Sequence, residues 1–269
     1  MKKTRILMVG AGRMAEAILS GLVTTDHPSL EKITMTNKSD KSKLTYIKDK
    51  YNVSISQKWE DEVKNHDVIL LASPPHTHED LLHKLNERMS NQLVVTVAAG
   101  IDPSYMEKRL PKGAPVCWIM PNTAAQVGKS MSTYVCGKHV QREHREVISL
   151  ILSSIGEAGE LTEQQVHDLT AITGSAPAFV YAFVEALEDA AVENGVTRDQ
   201  ARQLVKTMLN GSVAMIEAGH EPKDLCEQVA SPGGSTAEGL KVLEKKGFHD
   251  LVKEAVRATN EHARSQGEK

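Results

Sequence analysis

The chain has 269 residues, 40% of them apolar and 25% charged, with a formal net charge of −3. This is the make-up of a globular protein of one large domain or two, and the absence of a basic stripe excludes a nucleic-acid partner. Cys117, Cys136 and Cys226 are odd in number and far apart, which reads as reduced thiols in a cytoplasmic protein; the apolar run Ile6–Val9 is too short for a leader, and no later segment reads as a membrane span.

In chain order, short β-type runs alternate with amphipathic stretches over the first ~160 residues. The strand candidates are Ile6–Val9, Lys32–Thr36, Val53–Ile55, Val68–Ala72, Leu93–Val97, Val116–Met120 and Thr133–Cys136. A helix follows the first strand from Arg13 to Val23, and others begin near Asp40, Trp59, His76 and Asp102. From Glu163 the strand pattern stops. Val180, Phe183, Val184 and Leu187 form an apolar stripe at helical spacing, and Leu204, Met208, Met215 and Ile216 form a second. Ala182, Ala186, Ala190 and Ala191 are small enough for close helix contact. The expected architecture is a doubly wound α/β domain over 1–161 and an all-α domain over 162–269, whose stripes either close an ordinary monomeric bundle or pack against a second copy.

Gly10-Ala11-Gly12-Arg13-Met14-Ala15 follows a strand and opens a helix, the context that the G-x-G-x-x-A dinucleotide fingerprint requires. Gly10 makes the turn, Gly12 admits a pyrophosphate and Ala15 lets helix pack on strand. At the end of the second strand an NAD site usually carries an acid for the ribose hydroxyl. Here the residues are Thr36-Asn37-Lys38-Ser39, with no acid before Asp40. A hydroxyl, an amide and a cation suit a 2′-phosphate, which favours NADP over NAD.

Near the C-terminus, Ser231-Pro232-Gly233-Gly234-Ser235-Thr236 leads into a helical pattern. Paired glycines let backbone N–H groups approach a ligand, and Ser235 or Thr236 suits an N-cap. A small carboxylate could sit at that helix start; a capped turn is the plainer reading. Asn122, in Met120-Pro121-Asn122-Thr123, could hydrogen-bond a nicotinamide amide or close an Asx turn. His76 and His78 lack a third ligand and read as surface or helix-start residues, so no metal is expected. Glu185, Glu188 and Asp189 read as a solvated helix face.

The chain resembles the pyrroline-5-carboxylate reductase family along nearly its whole length. The resemblance is carried by Gly10–Ala15, Ala98-Ala99-Gly100-Ile101, Met120–Thr123, Val127-Gly128, Gly174-Ser175-Ala176-Pro177-Ala178 and Ser231–Thr236 leading into Gly239-Leu240 and Leu243-Glu244. It implies a Rossmann domain joined to a helical dimerisation domain, a homodimer or multiple of dimers, and NAD(P)H-dependent reduction of a cyclic imino acid to L-proline. Carried over by residue, Val9, Gly10, Ala11, Gly12, Arg13 and Met14 would hold the pyrophosphate. Thr36, Asn37, Lys38 and Ser39 would surround the adenosine ribose and its phosphate. Ala72, Ser73, Pro74 and Pro75, with Val97, Ala98 and Ala99, would line the cofactor cleft. Gly233, Gly234, Ser235 and Thr236 would bind the substrate, with the catalytic Thr236 hydroxyl near the ring nitrogen. Gln228 falls at a substrate-contacting position, and Ser175 lies in the segment facing the nicotinamide.

Several positions depart from the family pattern. Pro74 replaces a lysine, Trp59 an asparagine, Trp118 an arginine, Ala176 a glycine, Ala124 a proline and Ser235 a usual threonine or alanine. The first three belong to the cofactor side. They leave open a family member that binds NADP(H) without turnover, or one that reduces a related cyclic imine.

Overall fold

The computed structural model describes residues 3–38 and 40–267. Eight strands form one sheet: β1 (Thr4–Val9), β2 (Leu30–Thr36), β3 (Ser54–Ser56), β4 (Val68–Leu71), β5 (Leu93–Thr96), β6 (Val116–Met120), β7 (Ser130–Cys136) and β8 (Gly156–Glu160). Their order is β3-β2-β1-β4-β5-β6-β7-β8. Every pairing is parallel except that of β6 with β7. Val68–Leu71 and Leu93–Thr96 are buried throughout, as continuous apolar runs covered on both faces should be.

The helices of this part are α1 (Arg13–Thr25), α2 (Lys41–Tyr51), α3 (Trp59–Glu62), α4 (His78–Asn86), α5 (Pro103–Glu107), α6 (Arg142–Ser153) and α7 (Glu163–Thr170). Two apolar layers enclose the sheet. One gathers Ile6, Met8, Ile18, Leu22 and Ile151. The other gathers Leu7, Ile69, Leu82, Val94 and Trp118. Strand order reverses between β1 and β4, so the carboxyl ends of these two strands form the crevice where doubly wound sheets take ligands.

The chain then runs through a π-helical turn, Ala171–Ser175, into α8 (Ala176–Glu193), α9 (Arg198–Glu217), α10 (Pro222–Val229), α11 (Ser235–Lys245) and α12 (Phe248–Gly267). By packing, two compact units result, residues 1–175 with 260–269 and residues 176–259. Helix α7 belongs to the first because Val166 is fully buried in the second apolar layer. In residues 176–259 only Glu188, Ala201 and Val205 are buried.

Several expectations need correction. Ala72 and Val97 lie one residue beyond β4 and β5. The run Glu163–Glu193 does have the length and hydropathy of a membrane span, and 6% of its most apolar window is buried. His78 is wholly buried, because its ring reaches the Thr96 hydroxyl inside the fold. Glu188 is 5% exposed and not part of a solvated face: Arg202 grips its carboxylate at 3.1 and 3.2 Å. The N-cap of α11 is Gly234, not Ser235 or Thr236.

Candidate functional site

The turn between β1 and α1 lies at the strand-order reversal. Gly10 takes φ +114°, and a Cβ there would stand 2.5 Å from the Ala72 carbonyl oxygen, so only glycine fits. Its N–H donates to the Thr36 carbonyl at 3.0 Å, and the Ala72 N–H donates to the Val9 carbonyl at 2.8 Å. These bonds bring the ends of β1, β2 and β4 to one edge. Gly12 is the N-cap of α1 and supplies no side-chain cap. A Cβ on Gly12 would meet nothing within 4 Å, so open space lies in front of the helix's unpaired N–H groups. That combination suits a pyrophosphate.

Beyond β2, Thr36 is buried and its hydroxyl donates inward to the Met8 carbonyl at 3.3 Å. Its contribution to a ligand is therefore through the main chain. Asn37 is half-buried and Lys38 exposed, while Ser39 lies outside the described residues. Asp40, the first acid after the strand, is spent as the N-cap of α2: its Oδ1 accepts the Lys43 N–H at 2.9 Å and the Ser42 hydroxyl at 2.6 Å. Those hydrogen bonds from Ser42 and Lys43 hold its carboxyl below the usual range. An amide and a lysine, without a carboxylate committed to a ribose, fit a 2′-phosphate.

Glu16, in the first turn of α1, anchors α2 to the same edge. It accepts hydrogen bonds from Lys43, Lys50 and Tyr51. Burial pushes its carboxyl up, but the three donors together outweigh this and leave it at about 2.

Across the crevice, Ala72 and Ser73 are half-buried and Pro74 and Pro75 exposed; Val97 is half-buried, Ala98 buried and Ala99 exposed. Trp118 is 1% exposed, and its Nε1–H donates to the Ala98 carbonyl at 2.8 Å. Asn122 is mostly committed to the protein. Its Oδ1 accepts the Ala124 N–H and its Nδ2 donates to the Thr173 carbonyl, both at 2.9 Å. Pro177 has no N–H to return to that carbonyl four residues back, which leaves it free for Asn122. The π-helical turn that ends at half-buried Ser175 is thereby pinned to the end of β6. Sequence reasoning missed this tie; its trace was the Pro177 three residues after Gly174.

In residues 176–259 the candidate loop links α10 to α11. The Gly234 N–H donates to the Ser231 carbonyl at 2.9 Å, closing a turn in which Gly233 takes φ +75°. Gly234 then caps α11 without a side chain. The first N–H groups of the helix, from Ser235 and Thr236 onward, are left to an external acceptor. Among the described residues none is hydrogen-bonded to the Ser235 or Thr236 hydroxyl. Gln228, Gly233, Ser235 and Thr236 are exposed and Gly234 half-buried. Among the described residues no group of three or more His, Cys, Asp or Glu is arranged to hold a metal ion.

A glycine turn before an uncapped helix, at the reversal of a doubly wound sheet, defines a dinucleotide-binding domain of the oxidoreductase type. Residues 5–100 match the family model described as NADP oxidoreductase, coenzyme F420-dependent, and residues 163–266 match that described as pyrroline-5-carboxylate reductase dimerisation. Pyrroline-5-carboxylate reductase 1 of Bacillus subtilis is 31% identical over 255 residues, which cover 94% of this chain and 86% of that protein. The reductase of Corynebacterium melassecola is 32% identical over 98% of this chain and 99% of its own. The crystal structure of Plasmodium falciparum pyrroline carboxylate reductase with NADP bound superposes with a TM-score of 0.88 at 28% identity, covering 99% of both chains. The chain belongs to the pyrroline-5-carboxylate reductase family.

Proposed function

We propose that this chain reduces 1-pyrroline-5-carboxylate to L-proline with NADPH, the last step of proline biosynthesis. The observation that carries the reading is nearly full-length similarity to named reductases, 31% identity over 94% of the chain. The spent Asp40 and the exposed Lys38 support NADP as the dinucleotide.

In this reading Val9 to Met14 cradle the pyrophosphate, and Asn37, Lys38 and the Thr36 main chain receive the adenosine ribose and its phosphate. Ala72–Pro75 and Val97–Ala99 bound the nicotinamide end, with Ser175 and Asn122 at its margin. Bound there, NADPH supplies the hydride. The substrate loop contributes binding and orientation. Backbone N–H groups behind Gly233 and Gly234 fix the carboxylate, Ser235 and Gln228 make polar contacts, and the Thr236 hydroxyl orients the ring nitrogen. No acid–base pair is needed, because the cyclic imine can enter already protonated; the protein's task is alignment.

The assembly in this reading is a homodimer or a multiple of dimers. It is supported by the near absence of buried residues in 176–259 and by the matched dimerisation region. We place the boundary between the cofactor and dimerisation regions of the sequence after residue 161, next to the start of the matched region at 163, although by packing α7 stays with the sheet unit. Free cysteines at 117, 136 and 226 support a cytoplasmic setting.

The test is NADPH oxidation, followed by absorbance, with authentic imine and a Thr236→Ala control. Turnover should fall by about 100-fold in the control if the hydroxyl orients the reacting nitrogen. Absence of turnover above the control with both NADPH and NADH overturns the reading, and tight NADPH binding without turnover would instead mark a binding protein.

A further inference from the structure

The loops after β4 and β5 are joined by buried side chains to which the proposed chemistry gives no role. His78 opens α4 with its ring fully enclosed. Its Nδ1 lies 3.2 Å from the Pro74 carbonyl and its Nε2 lies 2.9 Å from Thr96 Oγ1. A carbonyl can only accept, so Nδ1 carries the proton and Nε2 accepts from the Thr96 hydroxyl. Thr96 Oγ1 is then left to accept the Ala98 N–H at 3.2 Å. On its other side the Ala98 peptide gives its carbonyl to Trp118 Nε1–H at 2.8 Å.

Trp118 is held in turn. Its ring lies 4.6 Å from that of His167, and His167 Nε2 is 2.9 Å from the Asp102 carboxylate. Asp102 also caps α5 through the Tyr105 N–H at 2.7 Å. Donors and acceptors along the whole line can be assigned without conflict for a neutral His78. Burial pushes the His78 imidazole below its ordinary range, in keeping with that neutral form.

We propose that His78, Thr96 and Trp118 form a positioning relay that locks Ala72–Pro75 and Val97–Ala99 into a single preformed wall for the nicotinamide end of the dinucleotide. The inference rests on the reading of these loops as the cofactor cleft. Main-chain bonds tie the loop starts, Ala72 N–H to the Val9 carbonyl at 2.8 Å and Val97 N–H to the Leu71 carbonyl at 3.1 Å, and buried side chains add to the fixing of the peptides that follow. Both backbone polar groups of Ala98 are held by side chains, the N–H by Thr96 and the carbonyl by Trp118, the carbonyl also accepting the Ile101 N–H at 3.4 Å. A wall set before binding spares the ligand the cost of ordering it.

Thr96→Val removes the hydroxyl with little change of volume, Thr96→Ser keeps it, and Trp118→Phe removes the N–H while keeping a ring against His167. NADPH dissociation constants from nicotinamide fluorescence are compared with KM for each substrate, kcat and Tm. Thr96→Val should raise the NADPH dissociation constant and KM by about tenfold, as loss of a buried hydrogen-bond partner does, with kcat at saturating NADPH within about twofold. Trp118→Phe should move the same constants in the same direction, and Thr96→Ser should stay within about twofold of the parent. If Thr96→Val does not fold, Trp118→Phe alone decides. Parent-like NADPH affinity in the folded variants, or equal weakening in Thr96→Val and Thr96→Ser, overturns the relay alone. Failure of the parent protein to bind NADPH overturns the cofactor reading and the relay with it.

Discussion

Asp40 and Lys38 show how two near neighbours after β2 take different roles. Asp40 turns back to cap α2, so the position where an acid could select a free ribose hydroxyl is spent on helix stability. Lys38 stays exposed beside it. Lys38→Ala should therefore raise KM for NADPH by about tenfold, the worth of one hydrogen bond to a charged group, and leave KM for NADH nearly unchanged. Equal effects on the two nucleotides would show that the lysine does not meet the phosphate. Glu16 offers a separate test through pH. Its folded-state value of about 2 lies below the ordinary 4.5. A depressed carboxyl contributes stability that is complete above its unfolded value and is lost as pH falls through the folded one. The Tm difference between the parent and Glu16→Gln should hold steady from pH 7 to about 5 and shrink as pH falls below the ordinary carboxylate range. A difference that does not change with pH would mean that the three donors do not stabilise the ionised form.

At the scale of elements, α8 and α9 are clamped by one carboxylate. Glu188 takes two bonds from Arg202 and lies 3.7 Å from Arg198, while Arg198 also pairs with Asp189 at 2.7 Å. The Arg202 side chain is 64% exposed, which limits what the pair contributes. Glu188→Ala should cost about 1–2 kcal/mol, and a double-mutant cycle with Arg202→Ala should show coupling of about 1 kcal/mol by thermal or denaturant unfolding. Strictly additive losses would mean no interaction. This clamp also marks where sequence reading stops. The helical spacing of Glu185, Glu188 and Asp189 is local, but the arginines that bury Glu188 come from the next helix. The helix start at His78 was legible but its burial was not, for the same reason, since its partner Thr96 lies on β5, 18 residues on. Strand β8 reads Gly-Glu-Ala-Gly-Glu, with no branched residue; it is a strand because β7 offers it a ladder. By contrast, the glycine turn, its strand and its helix were legible because all three are contiguous and each residue type has a local steric reason. The turn that opens α11 was legible for the same cause, except that Gly234 took the cap once Gly233 had closed the turn.

At the scale of the molecule, the two units differ in how they close a core. The sheet unit encloses two apolar layers of its own. Residues 176–259 enclose almost nothing, while Val180, Leu204, Met208, Val213 and Ile216 are between 46% and 59% exposed. An apolar surface on this scale marks an interface, and obligate interfaces bury roughly 2,000 Å² or more. The helical run Glu163–Glu193, apolar enough to cross a membrane by composition, fits the same account: its exposed apolar residues are those a second copy would cover. Leu204 and Met208 lie one turn apart on α9, so charges at both would have to be desolvated together in a closed dimer. Leu204→Glu with Met208→Glu should shift sedimentation from dimer to monomer mass, whereas Gln203→Glu, on a polar neighbour in the same helix, should leave the dimer intact. If dimerisation completes the helical unit's core, the doubly charged variant should also melt at a lower temperature, and the melting temperature of the parent should rise with protein concentration. A parent protein that sediments as a monomer at micromolar concentration would break the argument at its first step.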